Sequence, residues 1–321
     1  MAPISRTVPI LACLALSLLA GCSLFRKTPA PVATPPQTVN TAESEFKVLK
    51  AEDAATMSEL GQRLASPLNA PASERLFRRR ELSRDLAQRL DILRQRYLAF
   101  LKRHPDYAPA LAAYGGLLIS LSEEKAAIEN LQRALELEPA HAETWNNLAT
   151  LFGTLAVETG KAATAARAFE GYDKSIHHAP NVALYHNSLA ILISLFPAEA
   201  AAHYGKKKES MPLLALTHYQ RARELAPENF ALAAEAAEAH LGIRPLRKVE
   251  ALAAWEAARK LARNPVEIEW VHLQLALLEL EDGKTEAAQK HLAQVTSPAY
   301  DKLKAKIALA LKADALKPAK P

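Results

Sequence analysis

Cysteine and histidine are the residue types of this chain that suggest thiol or metal chemistry. The 321 residues include two cysteines, Cys13 and Cys22, and ten histidines. His177 and His178 are adjacent, so on a helix they lie about 100° apart and are poorly placed to share one metal ion. Local motifs for phosphate, dinucleotide, zinc-protease, serine-hydrolase and dithiol sites are absent from the sequence. We therefore predict no metal site, no cofactor and no enzymatic activity, with a hydrolase of dispersed active site as an alternative.

The N terminus has the composition of an export signal. Arg6 precedes an apolar run of about 13 residues, which is shorter than the roughly 20 that a membrane-spanning helix needs. The run ends in LAGC at residues 19–22, which resembles the lipobox of bacterial lipoproteins. The resemblance implies that residues 1–21 are removed as a signal peptide and that the thiol of Cys22 carries a lipid. Cys13 leaves with the signal peptide, so the mature chain can form no disulfide.

The residues after Cys22 predict where the anchored chain lies. In lipoproteins of Gram-negative bacteria, a serine such as Ser23 after the lipidated cysteine favours the outer membrane. The resemblance therefore implies a lipid-anchored protein of the bacterial cell envelope that faces the periplasm. Residues 22–42 hold the cysteine and a proline-rich tether, which would span up to about 40 Å if extended at ~3.1 Å per residue. A segment without a role is the alternative for this stretch.

From Glu43 onward the chain is rich in helix-forming residues and shows no period-two alternation. Prolines at 105, 139, 180, 227 and 265 each follow a helix-like segment, at separations of 34, 41, 47 and 38 residues. Between the first two, Gly115 and Ala127 are twelve apart, and Leu131 and Ala134 follow at steps of four and three. The same final spacing recurs before Pro180 and Pro227. This pattern resembles the tetratricopeptide repeat over roughly residues 90–298.

The resemblance implies an all-α tetratricopeptide-repeat solenoid of about five helix pairs. We predict N-terminal helices in residues 43–104, the solenoid in 105–298, and a capping helix and tail in 299–321. The second repeat has seven extra residues, about two helical turns, which should lengthen both of its helices. The insertion at 197–212 should form a short helix and a basic loop. In the fourth repeat, the late Pro265 predicts a longer second helix.

In tetratricopeptide proteins the first helix of each pair lines a concave face, so the resemblance implies candidate peptide-binding residues. These are Glu143, Asn146, Thr150, Asn187, Ile191 and Glu238. Positions that hold a peptide carboxylate in the chaperone-binding subgroup are occupied here by Ala112, Asn146, Asn187 and Ala234, so we predict no carboxylate clamp. Such a groove suits a helix or an extended segment of another envelope protein. The alternative is that these residues merely face solvent.

Two basic clusters offer a different kind of contact. They comprise Arg78, Arg79 and Arg80 in a predicted helix, and Lys206, Lys207 and Lys208 in the predicted loop. The formal net charge of +5 changes little when the signal peptide is removed, and an exported protein is not expected to bind nucleic acid. The sequence thus predicts a lipid-anchored scaffold for protein partners. The alternative function is binding of an envelope polymer, peptidoglycan or exopolysaccharide, through the basic clusters, and a solvated surface is the alternative reading of the clusters themselves.

Overall fold

The computed structural model describes the backbone of residues 41–65 and 72–315, and the side chains of residues 41–59 and 85–311. Cys22 and the predicted tether up to residue 40 lie outside the described residues, whereas residues 41 and 42, which were also assigned to the tether, begin α1. Within the described ranges the chain forms fourteen α-helices and no strand. The helices are α1 Thr41–Ala65, α2 Ala72–Arg103, α3 Ala108–Ser120, α4 Glu124–Leu137, α5 Ala142–Thr159, α6 Ala162–His178, α7 Ala183–Leu195, α8 Pro197–Tyr204, α9 Met211–Leu225, α10 Phe230–Ala239, α11 Lys248–Leu261, α12 Pro265–Glu281, α13 Thr285–Ala293 and α14 Asp301–Ala315. No helix in this part of the chain is both long and apolar enough to cross a bilayer.

The helices form two compact units that divide after Pro180. In the first unit, α3 packs on α4 and α5 packs on α6, as the two helices of a repeat do. In the second unit the pairs are α7 with α9, α10 with α11, and α12 with α13, and α14 packs after the last pair. Each unit therefore consists of successive antiparallel helix pairs, and the all-α fold predicted from the repeat pattern is confirmed.

Small side chains sit where paired helices approach closely. Ala149 of α5 is fully buried, and it faces Gly171 of α6. A Cβ added at Gly171 would lie 2.9 Å from the Cβ of Ala149, which is closer than real side chains pack. In the preceding pair, a Cβ at Gly115 would lie 2.6 Å from Leu131 Cγ. The period of small residues in the sequence thus marks the backbone contacts within each repeat.

Extra residues are accommodated in three different ways. In the second repeat both helices are long, with 18 residues in α5 and 17 in α6 against 13 in α3 and 14 in α4, as predicted. The insertion at 197–212 forms α8, a turn at Gly205 with left-handed φ of 60°, and a 3₁₀ turn at Lys208–Ser210. The prediction of a longer second helix in the fourth repeat is wrong. Helix α11 has 14 residues, and the extra ones form a 3₁₀ turn at His240–Gly242 and the loop that precedes α11.

A ladder of ion pairs joins α1 to α2. Its rungs are Glu45 with Arg103 at 2.8 Å, Glu52 with Arg96, and Glu59 with Arg89 at 2.7 Å. The rungs are seven residues apart on both helices and run in opposite directions, which is the geometry of an antiparallel heptad pair. Beneath the ladder lies an aromatic layer that includes Phe46 of α1 and Phe100 of α2, whose ring centroids are 5.8 Å apart. Helix α1 is thereby held against the start of the repeats.

The C-terminal end is secured by one carboxylate. Glu269 of α12 is 6% exposed, and its oxygens accept hydrogen bonds from Thr296 N, Thr296 Oγ1 and Ser297 N at 3.1, 2.7 and 2.9 Å. These bonds fix the turn that leads into α14. Ile307 and Leu311 of α14 then cover the apolar surface of the last pair, which is the role of a capping helix in repeat proteins.

Candidate functional site

In the first unit, the candidate residues Glu143, Asn146 and Thr150 lie on α5. Their spacing of three and four places them on one side of the helix. Helix α5 ends at Thr159, and Gly160 follows it with a left-handed φ of 66°, which a side chain would strain. Sequence reasoning placed Glu143 opposite a partner, but the chain itself supplies a counter-ion. Lys50 Nζ of α1 lies 3.0 Å from Glu143 Oε2.

Asn146 and Thr150 differ in how their polar groups are satisfied. The Thr150 hydroxyl donates to the Asn146 carbonyl oxygen at 2.8 Å and lies 3.1 Å from the Tyr172 hydroxyl of α6. Asn146 is 5% exposed, and its Oδ1 has no hydrogen-bond partner. Because a buried unpaired carbonyl costs about 1–3 kcal/mol, this amide stands out among the candidates in the first unit.

Beside these residues lies an ionic group that sequence reasoning missed. Asp53 of α1 accepts a hydrogen bond from the Tyr97 hydroxyl at 2.6 Å. Burial raises the pKa of the Asp53 carboxyl, and the hydrogen bond from Tyr97 and the charge of Lys50 oppose the rise. Lys50 therefore acts on two carboxylates, those of Asp53 and Glu143. No local motif signals this group, since Asp53 and Tyr97 are 44 residues apart.

In the second unit, Asn187 of α7 is 6% exposed and faces Glu235 of α10. Its amide donates a hydrogen bond to the Glu235 carboxylate, whereas Asn187 Oδ1 and Glu235 Oε2 are both buried without a partner. Ile191, the other candidate on α7, is 3% exposed and packs in the core, and its aliphatic side chain has no polar group to offer a ligand. Asn187 and Glu235 are thus the polar pair that the fold brings together here.

The carboxyl of Glu235 has a strongly perturbed pKa. Burial raises the pKa of Glu235 to about 7, the hydrogen bond from Asn187 opposes this rise, and the nearby carboxylate of Glu238 adds to it. Sequence reasoning named Glu238 as a site residue but missed Glu235, which lies one turn earlier on α10. The signal was present, because Glu235 and Glu238 are the two acids in the alanine-rich stretch AAEAAEA at residues 233–239.

The basic candidates occupy different surroundings. Arg78, Arg79 and Arg80 fall within α2, but their side chains are outside those described. Lys206, Lys207 and Lys208 follow Gly205 in the insertion of the second unit and are all exposed. None of these three lysines forms an ion pair with another described residue. The loop therefore presents three positive charges to solvent.

Four of the histidines form two pairs, and each pair joins the two helices of one repeat. His186 Nδ1 of α7 lies 3.2 Å from His218 Nδ1 of α9, and His272 Nδ1 of α12 lies 3.0 Å from His291 Nδ1 of α13. Such distances require one ring to donate and the other to accept a proton. Across the described part of the chain, no group of three or more histidine, cysteine or acidic side chains is placed to hold a metal ion.

No protein-family model matches the chain, and no curated protein matches it in sequence. Solved structures do match. YrrB, a TPR protein with an unusual peptide-binding site, has a TM-score of 0.51 and 17% identity over 68% of this chain and 98% of its own. For pilF of Pseudomonas aeruginosa the TM-score is 0.52 and the sequence identity is 15%, and the match covers 82% of this chain and 99% of pilF. For PilW, a type IV pilus biogenesis factor, the TM-score is 0.52 and the sequence identity is 16%, and the match covers 74% of this chain and 100% of PilW. These similarities show that the chain has the fold of the tetratricopeptide-repeat proteins.

Proposed function

We propose that this chain is a lipid-anchored scaffold of the bacterial cell envelope that binds segments of partner proteins on the first helices of its repeats. The observation that carries the proposal is a pair of buried amides. Asn146 on α5 and Asn187 on α7 are both first-helix residues, both are nearly inaccessible, and both keep an unpaired Oδ1. Native proteins satisfy most buried polar groups, so an unpaired one needs a partner from outside the described residues, and the proposal gives that role to the bound segment.

The chemistry of an amide suits a peptide backbone. An asparagine side chain both donates and accepts hydrogen bonds, so it can pair with the N–H and C=O groups of a bound segment. Among proteins with the same fold, YrrB is described as having a peptide-binding site and PilW as a pilus biogenesis factor. These descriptions support a binding role over a catalytic one, and the proposal is that this chain also acts by binding.

The envelope location rests on the lipobox-like sequence before Cys22. We expect Cys22→Ser to leave the signal peptide uncut and to prevent incorporation of radioactive fatty acid into the chain. Cys13→Ser is the matched control, because this cysteine lies inside the predicted signal peptide and should not change labelling. Labelling of the Cys22→Ser chain at the level of the unaltered protein would remove the anchor from the proposal.

A second candidate function is binding of an envelope polymer. The observation in its favour is the exposed loop with Lys206, Lys207 and Lys208, which form no ion pair with other described residues. A polyanionic glycan would be held by these charges, and salt would weaken it. Sedimentation with isolated peptidoglycan sacculi at low and high salt tests this function. Neutralising these lysines together with Arg78, Arg79 and Arg80 should abolish salt-sensitive sedimentation.

In-cell crosslinking followed by mass spectrometry tests the scaffold proposal. The unaltered protein is compared with an Asn146→Ala, Asn187→Ala double variant. The control is Asn130→Ala with Asn181→Ala, which removes one amide from each unit away from the candidate positions. An envelope protein that crosslinks to the unaltered and control chains but not to the test variant supports the proposal. Crosslinks that persist in the test variant and cluster at Lys206–Lys208 would contradict binding on the first helices and move the scaffold role to the basic segments.

A further inference from the structure

Asn187 on α7 and Glu235 on α10, two first helices of the second unit, each keep one acceptor atom without a donor. Asn187 Oδ1 and Glu235 Oε2 are each buried and unpaired. The other atom of each group joins the hydrogen bond from the Asn187 amide to the Glu235 carboxylate. Asn187 and Glu235 are therefore in contact, and each side chain keeps one oxygen without a donor. Neither oxygen can donate when Glu235 is ionised, so the site lacks a donor.

The charge at this position is also uncompensated. Glu238 is the charged residue whose field acts on Glu235, and its sign is the same. None of the described lysines or arginines contributes to the charge balance of Glu235. A buried carboxylate is ordinarily paired with a cation or a metal ion. At this site, among the residues that the structure describes, the chain supplies neither.

The first unit shows what a complete arrangement looks like. There the carboxylate of Glu143 on α5 is met by the ammonium group of Lys50, at 3.0 Å, and Lys50 comes from α1 outside the repeats. Lys50 also acts on Asp53, so one cation serves two carboxylates. The second unit has a comparable pair of carboxylates in Glu235 and Glu238. It has no counterpart of Lys50 acting on Glu235.

We propose that Asn187 and Glu235 bind the cationic side chain of an arginine or lysine in the partner segment, with Glu238 adding to the negative field. This inference rests on the proposed function, since it specifies the chemistry of the segment bound there. A guanidinium has five N–H donors in a fixed plane, so it can donate to an amide oxygen and to a carboxylate oxygen at once. Charge-assisted hydrogen bonds of this kind are about twice as strong as neutral ones.

The pH dependence of the site separates cation binding from internal pairing. Since the pKa of Glu235 is about 7, its carboxyl is largely protonated at pH 5.5. The protonated carboxyl has a donor of its own and no charge, so it attracts a cation weakly. At pH 8 the ionised carboxylate needs an external donor. Cation binding should therefore be stronger at pH 8 than at pH 5.5.

The probe is Nα-acetyl-arginine amide, and the control ligand is Nα-acetyl-citrulline amide, which has the same shape without the charge. Each is titrated at constant ionic strength into the full chain in detergent, selectively labelled with ¹⁵N-asparagine, while the side-chain amide resonance of Asn187 is followed. We expect the arginine derivative to shift this resonance at pH 8 and the citrulline derivative to bind about tenfold or more weakly. Equal affinities, or no shift with the arginine derivative, would overturn the proposal.

Two variants locate the interaction. Glu235→Gln keeps the shape and removes the charge, so it should weaken arginine binding at pH 8 by about tenfold to a hundredfold. Glu286→Gln, an exposed acid on the second helix α13, makes the same chemical change and should leave the affinity unaltered. Retained affinity in Glu235→Gln, with a thermal transition showing that the variant is folded, would refute a cation site at Glu235.

The crosslinking experiment keeps this inference distinct from the scaffold proposal. If a partner is lost in the asparagine double variant but retained in Glu235→Gln, the scaffold function stands and the cation site is refuted. If no partner depends on the asparagines, the scaffold function fails. The arginine titration then still decides whether the chain has a cation site.

Discussion

Replacing Glu235 with glutamine should stabilise the second unit in a pH-dependent way. The pKa of this carboxyl is raised to about 7 in the folded chain, whereas an unperturbed glutamate titrates near 4.5. Between these values the folded state keeps a proton that the unfolded state releases. The stability of the unaltered protein must therefore fall as pH rises from 4.5 to 7 and stay low above 7. Glutamine resembles the protonated carboxyl at every pH, so the variant escapes this loss.

The size of the effect follows from the shift. One pKa unit corresponds to about 1.4 kcal/mol, so a displacement from 4.5 to about 7 sets an upper value of about 3 kcal/mol at pH 8. Part of the Glu235 side chain is reached by water, and solvent screening lowers this value. We expect a gain of about 1–3 kcal/mol at pH 8 and no difference between the two proteins at pH 4.

Tryptophan fluorescence can report the urea unfolding of the second unit alone. The chain has three tryptophans, of which Trp255 and Trp270 belong to the second unit and Trp145 to the first. In a Trp145→Phe background, fluorescence reports only the second unit, which matters because repeat proteins need not unfold in one step. Glu286→Gln serves as the control and should show no pH-dependent difference. Equal stability of Glu235→Gln and the unaltered protein at pH 8 would refute the buried, unpaired state of the carboxyl.

Three further predictions concern packing, the C-terminal turn and the histidine pairs. Gly171→Ala should destabilise the first unit by about 1–3 kcal/mol in urea unfolding, because the new methyl would lie 2.9 Å from a neighbouring Cβ. In the control Gly116→Ala the new methyl would meet only a flexible side-chain amide at 3.4 Å, so this change should not destabilise the unit. Glu269→Gln should lower the free energy of unfolding by about 1–3 kcal/mol at pH 7, because one amide oxygen cannot replace both carboxylate oxygens. Hydrogen bonding from Thr296 lowers the pKa of this carboxyl, so the loss of stability should shrink as pH falls below 4.5. A loss that stays constant with pH would contradict the assignment. Burial lowers the pKa of His272 and His291, so calorimetric melting should show stability falling as pH drops below 6.5, and His291→Gln should reduce that dependence.

The repeat architecture was predictable because each repeat imposes a local steric demand. Ala149 and Gly171 must be small because the backbones of α5 and α6 approach closely at that point, and the same demand recurs at a nearly fixed period. Prolines mark the ends of the second helices for a related reason, since proline cannot continue a helix. The fourth repeat departed from this rule. Pro265 begins α12, where its missing N–H is tolerated, and Pro245 lies in the loop that precedes α11.

The polar site was less predictable because its partners are distant in sequence. Asn187 meets Glu235 from 48 positions away, and Lys50 meets Glu143 from 93 positions away. Neither pair has a spacing that a local motif could encode. Repeat spacing predicts which helix comes first in each pair, and Asn146 and Asn187 do lie on the first helices α5 and α7. The identity of the opposing side chain depends on how successive repeats stack, and on α1, which belongs to no regular repeat.

The contrast between Glu143 and Glu235 gives the two units different binding chemistry. Glu143 is neutralised by Lys50, so a partner that approached α5 with a cation would compete with an ion pair that already exists. Glu235 lies near Glu238 and is hydrogen-bonded by Asn187, and no lysine or arginine among the described residues acts on its carboxylate, so a cation that approaches Glu235 has no ion pair to break there. A basic segment should consequently prefer the second unit, and a segment that offers only backbone hydrogen bonds should have no such preference. On the proposed function, a basic side chain of the partner would be bound at α7 and α10, and its backbone groups through Asn146 on α5.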